Sequence, residues 1–141
     1  MFGVAKEKVL LVENDQLLSK AICVCLIKKG YEVEALKDGE QAAKHLLQAK
    51  PDSIVVDLER LGCDVGSITE LLEKLGWTKR VPLILLSGLE TKAGKVTEIK
   101  HWAHIQKPFD MGELVQTVEG SLKKPKLSTT LSDARAFRKD K

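Results

Sequence analysis

Short apolar runs alternate along this chain with stretches whose apolar residues recur at helical spacing. A continuous apolar run is typical of a buried β-strand, and apolar residues three and four positions apart are typical of a helix packed on a sheet. The predicted strands cover residues 9–12, 31–35, 53–56, 82–86 and 102–105. The predicted helices cover residues 17–29, 39–49, 68–75, 91–100 and 111–122. We expect Leu46 and Leu47 of the second helix to face inward and Asp110 to cap the last helix. Apolar and polar residues alternate in the second strand, which is typical of a strand at a sheet edge.

Five strand–helix units in strict alternation favour an α/β fold. They predict a parallel, doubly wound sheet with helices on both faces and right-handed connections. Ligands of such sheets bind at the carboxyl ends of the strands, beside the point where the strand order reverses. The residues that end each strand are therefore the first candidates for function.

Length and composition describe a single domain without a membrane span. The chain has 141 residues, 43% of them hydrophobic and 30% charged. Its longest apolar runs fall far short of the roughly 20 residues that cross a bilayer. No apolar signal sequence follows the N-terminus. Three cysteines without a CxxC pair favour reduced thiols, so we expect a cytoplasmic protein with no disulfide framework (Cys23, Cys25 and Cys63).

The charge is unevenly distributed. Residues 121–141 carry seven Lys or Arg against two Asp, whereas the preceding body is mildly acidic. We expect a folded domain over residues 1–122 and a basic, flexible tail or linker over residues 123–141. A basic tail alone is weak support for nucleic-acid binding, so we expect neither direct nucleic-acid nor membrane contact.

Polar side chains with complementary chemistry end four of the strands. Carboxylate and amide oxygens, such as those of Glu13 and Asn14, suit Mg²⁺. A lysine and a hydroxyl, here Lys107 and Ser87, suit a phosphoryl group. A carboxylate between a metal and a lysine can attack phosphorus and form an acyl phosphate, and Asp57 ends the third strand in that position.

This ordered set resembles the receiver domain of two-component response regulators, over about residues 8–122. The resemblance implies a flavodoxin-like (βα)5 fold, also called CheY-like, with strand order 2-1-3-4-5. It implies that Asp57 is the phosphoacceptor, that Ser87 bonds the phosphoryl group and that Lys107 pairs with it. The bond between Lys107 and Pro108 would be cis.

The resemblance also implies a magnesium site and a switch. Mg²⁺ would be held by Glu13, Asn14, Asp57 and the backbone carbonyl of Glu59. The family usually has two aspartates where this chain has Glu13 and Asn14, so the lost charge should weaken Mg²⁺ binding. An aromatic switch residue usually stands three positions before the lysine. Here that position is His104, which we expect to act with Ser87 and which adds pH sensitivity.

The function implied is phosphorylation-controlled signalling. A sensor histidine kinase or phosphotransfer protein would donate the phosphoryl group to Asp57. The face formed by helix 4, strand 5 and helix 5 would then change its affinity for a downstream effector. The chain would be a single-domain regulator or a receiver from a larger protein, and not an enzyme beyond hydrolysis of its own phosphoryl group.

One alternative is a degenerate receiver that binds partners without phosphorylation. Asn14, Leu61, His104 and a shortened segment between Ser87 and Lys107 favour it, whereas the retained trio of Asp57, Ser87 and Lys107 opposes it. Two enzyme alternatives are weaker. The Asp-x-Asp motif of haloacid-dehalogenase-like enzymes follows the first strand, not the third, and the acidic loop after strand one would repel the phosphate of a flavin.

Overall fold

The computed structural model describes residues 5–59, 65–89, 91 and 93–123. The strands are β1 (Lys8–Val12), β2 (Glu32–Leu36), β3 (Ser53–Asp57), β4 (Leu83–Ser87) and β5 (Ala103–Gln106). The helices are α1 (Gln16–Lys28), α2 (Gly39–Leu46), α3 (Gly66–Lys74), α4 (Ala93–Glu98) and α5 (Met111–Lys123). Across these described ranges, no helix combines the length and the apolar character that a membrane crossing requires.

All five strands form one parallel sheet in the order β2-β1-β3-β4-β5. The predicted fold class and strand order are therefore confirmed. β3 and β4 are buried at every position, because helices cover both faces of a parallel sheet. β2 lies at the sheet edge, where its alternating sequence had placed it.

The sheet separates two apolar layers, because successive side chains of a strand point to opposite faces. One layer packs Leu10 and Val56 against α2, α3 and Val96 of α4. The other packs Leu11 and Val55 against α1 and α5. The three central strands are held from both sides, and their carboxyl ends are thereby fixed next to one another.

Local signals in the sequence set the helix ends. Asp15 caps α1, since its Oδ1 accepts hydrogen bonds from the backbone N–H groups of Leu17 and Leu18. Asp110 caps α5 as predicted, with Oδ1 at 2.8 Å from the backbone nitrogen of Glu113. Gly30 lies just beyond α1 with a φ of 98°, a conformation that glycine adopts without strain.

Two helices differ from their predicted form. α4 spans six residues instead of the ten expected, and Val96 is its one buried hydrophobic residue among those described. α2 ends at Leu46, and Leu47, expected to face inward, is 67% exposed. Consecutive helical residues lie about 100° apart, so Leu46 takes the inward position and Leu47 turns to solvent.

Two predicted features fall outside the described residues. They are the loop after Glu59, with Leu61 and Cys63, and the basic tail beyond Lys123.

Adjacent leucines of α2 give a matched test of this packing. Leu46→Ala should lower the free energy of unfolding by about 2–5 kcal/mol, since it empties space in the core. Leu47→Ala, the same change at an exposed site, should stay within about 0.5 kcal/mol of wild type. Urea unfolding of both variants measures the difference. Equal losses would contradict the orientation of α2.

Candidate functional site

The carboxyl ends of β1, β3, β4 and β5 bring one group of polar side chains together. Glu13, Asp57 and Ser87 are 3%, 2% and 5% exposed, and all three follow or end buried strands. Lys107 follows β5, and its side chain is 22% exposed. Because parallel strands end at the same edge of the sheet, residues far apart in sequence share this pocket.

Lys107 is the cation of the site. Its Nζ donates hydrogen bonds to Asp57 Oδ2 at 2.6 Å and to Glu59 Oε1 at 3.1 Å. Its backbone nitrogen donates to the Ser87 carbonyl, and the Lys107–Pro108 peptide is cis, as predicted. Burial alone would lower the pKa of Lys107, but its bonds to the two carboxylates outweigh burial and raise the pKa.

The Asp57 side chain is held by partners on two sides. Oδ1 accepts a hydrogen bond from the backbone nitrogen of Glu59 at 2.9 Å, and Oδ2 accepts from Lys107. Leu58 continues the pairing of β3 with β4, since its nitrogen donates to the Leu86 carbonyl. The carboxylate is therefore fixed at the end of β3, with its charge facing an ammonium group.

Glu13 lies in the same pocket with one oxygen unsatisfied. Oε2 accepts from the backbone nitrogen of Asp15 at 3.0 Å, whereas Oε1 is buried and meets no hydrogen-bond partner in the described part of the chain. Burial, with the neighbouring Asp57 carboxylate adding to it, raises the pKa of Glu13 to about 8. The buried carboxyl thus needs a proton or a cation.

The other predicted metal residues are arranged less favourably. Asn14 is exposed. The neighbouring Asp15, which was not predicted as a ligand, caps α1. The Glu59 side chain turns to Lys107. Within the ranges described, no three His, Cys, Asp or Glu side chains converge to enclose a metal ion. The side chains best placed to bind Mg²⁺ are those of Glu13 and Asp57. The contribution of Asn14 stays a prediction.

The predicted switch pair is in direct contact. Ser87 Oγ lies 2.6 Å from Nε2 of His104, which is exposed on the edge strand β5. The His101 ring stands edge-on to His104, with 6.4 Å between centroids. Partial desolvation and the neighbouring His101 lower the pKa of His104, which favours a neutral ring at physiological pH. The Ser87 hydroxyl is therefore bonded toward β5.

Two features of the site were not predicted from the sequence. The carboxylate of Glu59 bonds Lys107, although only its backbone carbonyl had been expected to matter. Gly88, directly after Ser87, leaves the space that this carboxylate fills, because a Cβ at residue 88 would overlap it. A glycine directly after a buried strand was the available signal, since such residues often mark a close approach.

Known proteins are similar in sequence to most of this chain. The family model for the response regulator receiver domain matches residues 9–119. "Probable transcriptional regulator ycf29" of Porphyra purpurea is 30% identical, over 85% of this chain and 58% of its own. The phosphate regulon transcriptional regulatory protein PhoB of Rhizobium meliloti is 27% identical, over 88% of this chain and 56% of its own. The chain thus spans little more than half the length of these relatives.

Solved structures agree with the fold. The Francisella response regulator 1452 receiver domain is 26% identical with a TM-score of 0.72, and covers 84% of this chain and 98% of its own. The receiver domain of the sensor histidine kinase PA1611 from Pseudomonas aeruginosa, described with a magnesium ion in its active-site cleft, is 25% identical. Its TM-score is 0.73, with 84% of this chain and 98% of its own covered. Since the family match covers most of the residues and the sheet has the same architecture, this chain belongs to the response regulator receiver domain family.

Proposed function

We propose that this receiver domain accepts a phosphoryl group on Asp57 from a histidine kinase or phosphotransfer protein. The observation that supports this most is the 2.6 Å contact between Asp57 Oδ2 and Lys107 Nζ at the end of a buried strand. An oxygen of Asp57 attacks phosphorus, an O–P bond forms, and the bond from phosphorus to the donor's nitrogen breaks with the donor imidazole leaving. The product is an acyl phosphate on Asp57.

The surrounding side chains suit the charge of that product. A phosphoryl group adds negative oxygens beside Asp57, and the Lys107 ammonium is in position to neutralise them. Ser87 ends the neighbouring strand and supplies a hydroxyl donor once it leaves His104. Burial of Asp57 keeps bulk water from most of this space, and electrostatic contacts are stronger there than in water.

The residues of the pocket fit Mg²⁺ in part. The unpartnered buried Oε1 of Glu13 and the Asp57 carboxylate are hard oxygen donors, and Mg²⁺ retains several waters in such sites. Glu13, Asn14, Asp57 and the carbonyl of Glu59 would hold the ion, which supplies positive charge to the transferring phosphoryl oxygens. Asn14 is neutral and exposed, so we expect weaker binding than two aspartates would give.

The proposed switch couples the site to a partner surface. When the Ser87 hydroxyl turns to the phosphoryl group, it loses its hydrogen bond to Nε2 of His104. The His104 imidazole on β5 is then free to move. That change biases the α4/β5/α5 face toward a downstream effector domain or protein. The domain itself turns over no substrate beyond hydrolysis of its own acyl phosphate. Transcriptional regulators among its relatives suggest an effector that acts on genes, with no direct nucleic-acid contact by this domain.

Intact-mass measurement tests the acceptor. With Mg²⁺ and acetyl phosphate, the wild-type chain should gain one phosphoryl group and Asp57→Asn should gain none, since only the native side chain offers the nucleophile. Asp38→Asn is the matched control, because Asn caps α2 as well as Asp does and this site is separate. No gain by wild type, together with no binding of beryllofluoride, would overturn the proposed function.

The raised pKa of the buried Glu13 should make the free energy of unfolding depend on pH when no metal is bound. Its pKa rises from an ordinary 4.5 to about 8 on folding, so between these values the folded chain holds a proton that the unfolded chain has lost. The free energy of unfolding should therefore fall as pH rises from 5 to 8. Glu13→Gln cannot lose a proton and should flatten this decline, as measured by urea unfolding in EDTA.

Glu73→Gln, an exposed change of the same charge on α3, should keep the wild-type pH profile. If Glu13→Gln and wild type decline equally, Glu13 is not the group responsible.

A further inference from the structure

The carboxylate of Glu59 occupies space next to the acceptor. Its Oε1 lies 3.1 Å from Lys107 Nζ, and the group fills the volume that a side chain at residue 88 would take. Lys107 is thereby shared between two carboxylates, those of Asp57 and Glu59. One ammonium cannot fully neutralise both and also an incoming phosphoryl group.

We infer that Glu59 is an internal competing anion, which holds Lys107 in the resting state and slows phosphoryl acceptance until it is displaced. The inference rests on the proposed function of Asp57 as acceptor. Glu59 is thus a positioning residue for Lys107, and Gly88 is the residue that permits this arrangement.

The charge and position of the Glu59 carboxylate support its competition with a phosphoryl group for Lys107. A phosphoryl group on Asp57 places its oxygens near Lys107, which is already bonded to Asp57 Oδ2. The Glu59 carboxylate, bonded to the same nitrogen, would then face those oxygens with like charge. The Glu59 side chain is 19% exposed, so a route to solvent is open to it. Displacement exchanges one anion on Lys107 for another.

The backbone is anchored at both Glu59 and Gly88, so the position of the Glu59 carboxylate depends on the space that the missing side chain of Gly88 leaves. The nitrogen of Glu59 is bonded to Asp57 Oδ1, so the start of its side chain is anchored beside the acceptor. Gly88 is buried, and its nitrogen donates to Thr91 Oγ1 at 3.0 Å. A methyl group added at residue 88 therefore has little freedom to move away, so the end of the Glu59 side chain must shift from its present position beside Lys107.

Beryllofluoride binding measures the competition directly, because this anion binds an acceptor carboxylate as a phosphoryl group does. In saturating Mg²⁺, ¹⁹F NMR titration should show about tenfold tighter binding to Glu59→Gln than to wild type, since the variant replaces a charged acceptor of Lys107 by a neutral one. Phosphorylation by acetyl phosphate should accelerate by a similar factor. Glu73→Gln, which removes the same charge from the exposed face of α3, should bind as wild type does.

Gly88→Ala gives a second, independent test. In the native background the added methyl should expel the carboxylate and tighten binding, whereas in the Glu59→Gln background it should change affinity less than twofold. A merely structural clash would instead weaken binding, so the sign of the Gly88→Ala effect in the native background separates the two roles. Circular dichroism confirms that each variant is folded, and if Gly88→Ala fails to fold, the comparison of Glu59→Gln with wild type decides.

The outcomes separate the inference from the function beneath it. Equal affinities of wild type and Glu59→Gln would overturn the competing anion and leave Asp57 as acceptor. Binding by Glu59→Gln but not by wild type would support both. Binding by none of the chains would overturn the proposed function, and the inference with it.

Discussion

The contact between Lys107 and Asp57 is the constraint on which the site depends. The two residues are 50 positions apart in sequence, and they meet at 2.6 Å because β3 and β5 end at the same edge of a parallel sheet. A carboxylate that is 2% exposed is unfavourable without a partner, so the Lys107 ammonium stabilises the charge of Asp57 in the folded chain. The two apolar layers fix the positions of the strand ends, and the strand ends in turn position Lys107 beside Asp57.

The rest of the pocket follows from an excess of carboxyl groups around one ammonium. Glu13 is accommodated by a raised pKa, and one of its oxygens is left for a proton or a cation. Glu59 is accommodated by sharing Lys107 and by the open space at Gly88. A phosphoryl group would displace the Glu59 carboxylate from Lys107. A cation bound at the same time would give the Oε1 atom of Glu13 a partner. The resting site is thus organised around charges that the proposed phosphoryl group and cation are suited to replace.

The fold was predictable because each signal was local and repeated. Buried parallel strands read as continuous apolar runs, and the polar residues that end them, Asp57 and Ser87 among them, lie where the pattern had placed them. Side-chain direction was less predictable. Leu47 turns outward because its neighbour Leu46 occupies the inward position, and α4 is shorter than its sequence pattern predicted. The contact of Glu59 with Lys107 depends on the absence of a side chain at Gly88, a property of two loops that no single segment displays.

A crystal structure of the chain with Mg²⁺ and beryllofluoride tests the account most directly. We expect beryllium bonded to an Asp57 oxygen, Lys107 Nζ within hydrogen-bonding distance of a fluoride, and the Glu59 carboxylate displaced from the space over Gly88. Ser87 should have left His104 for the ligand. Lys107 still bonded to Glu59, with Asp57 unmodified at saturating ligand, would contradict it.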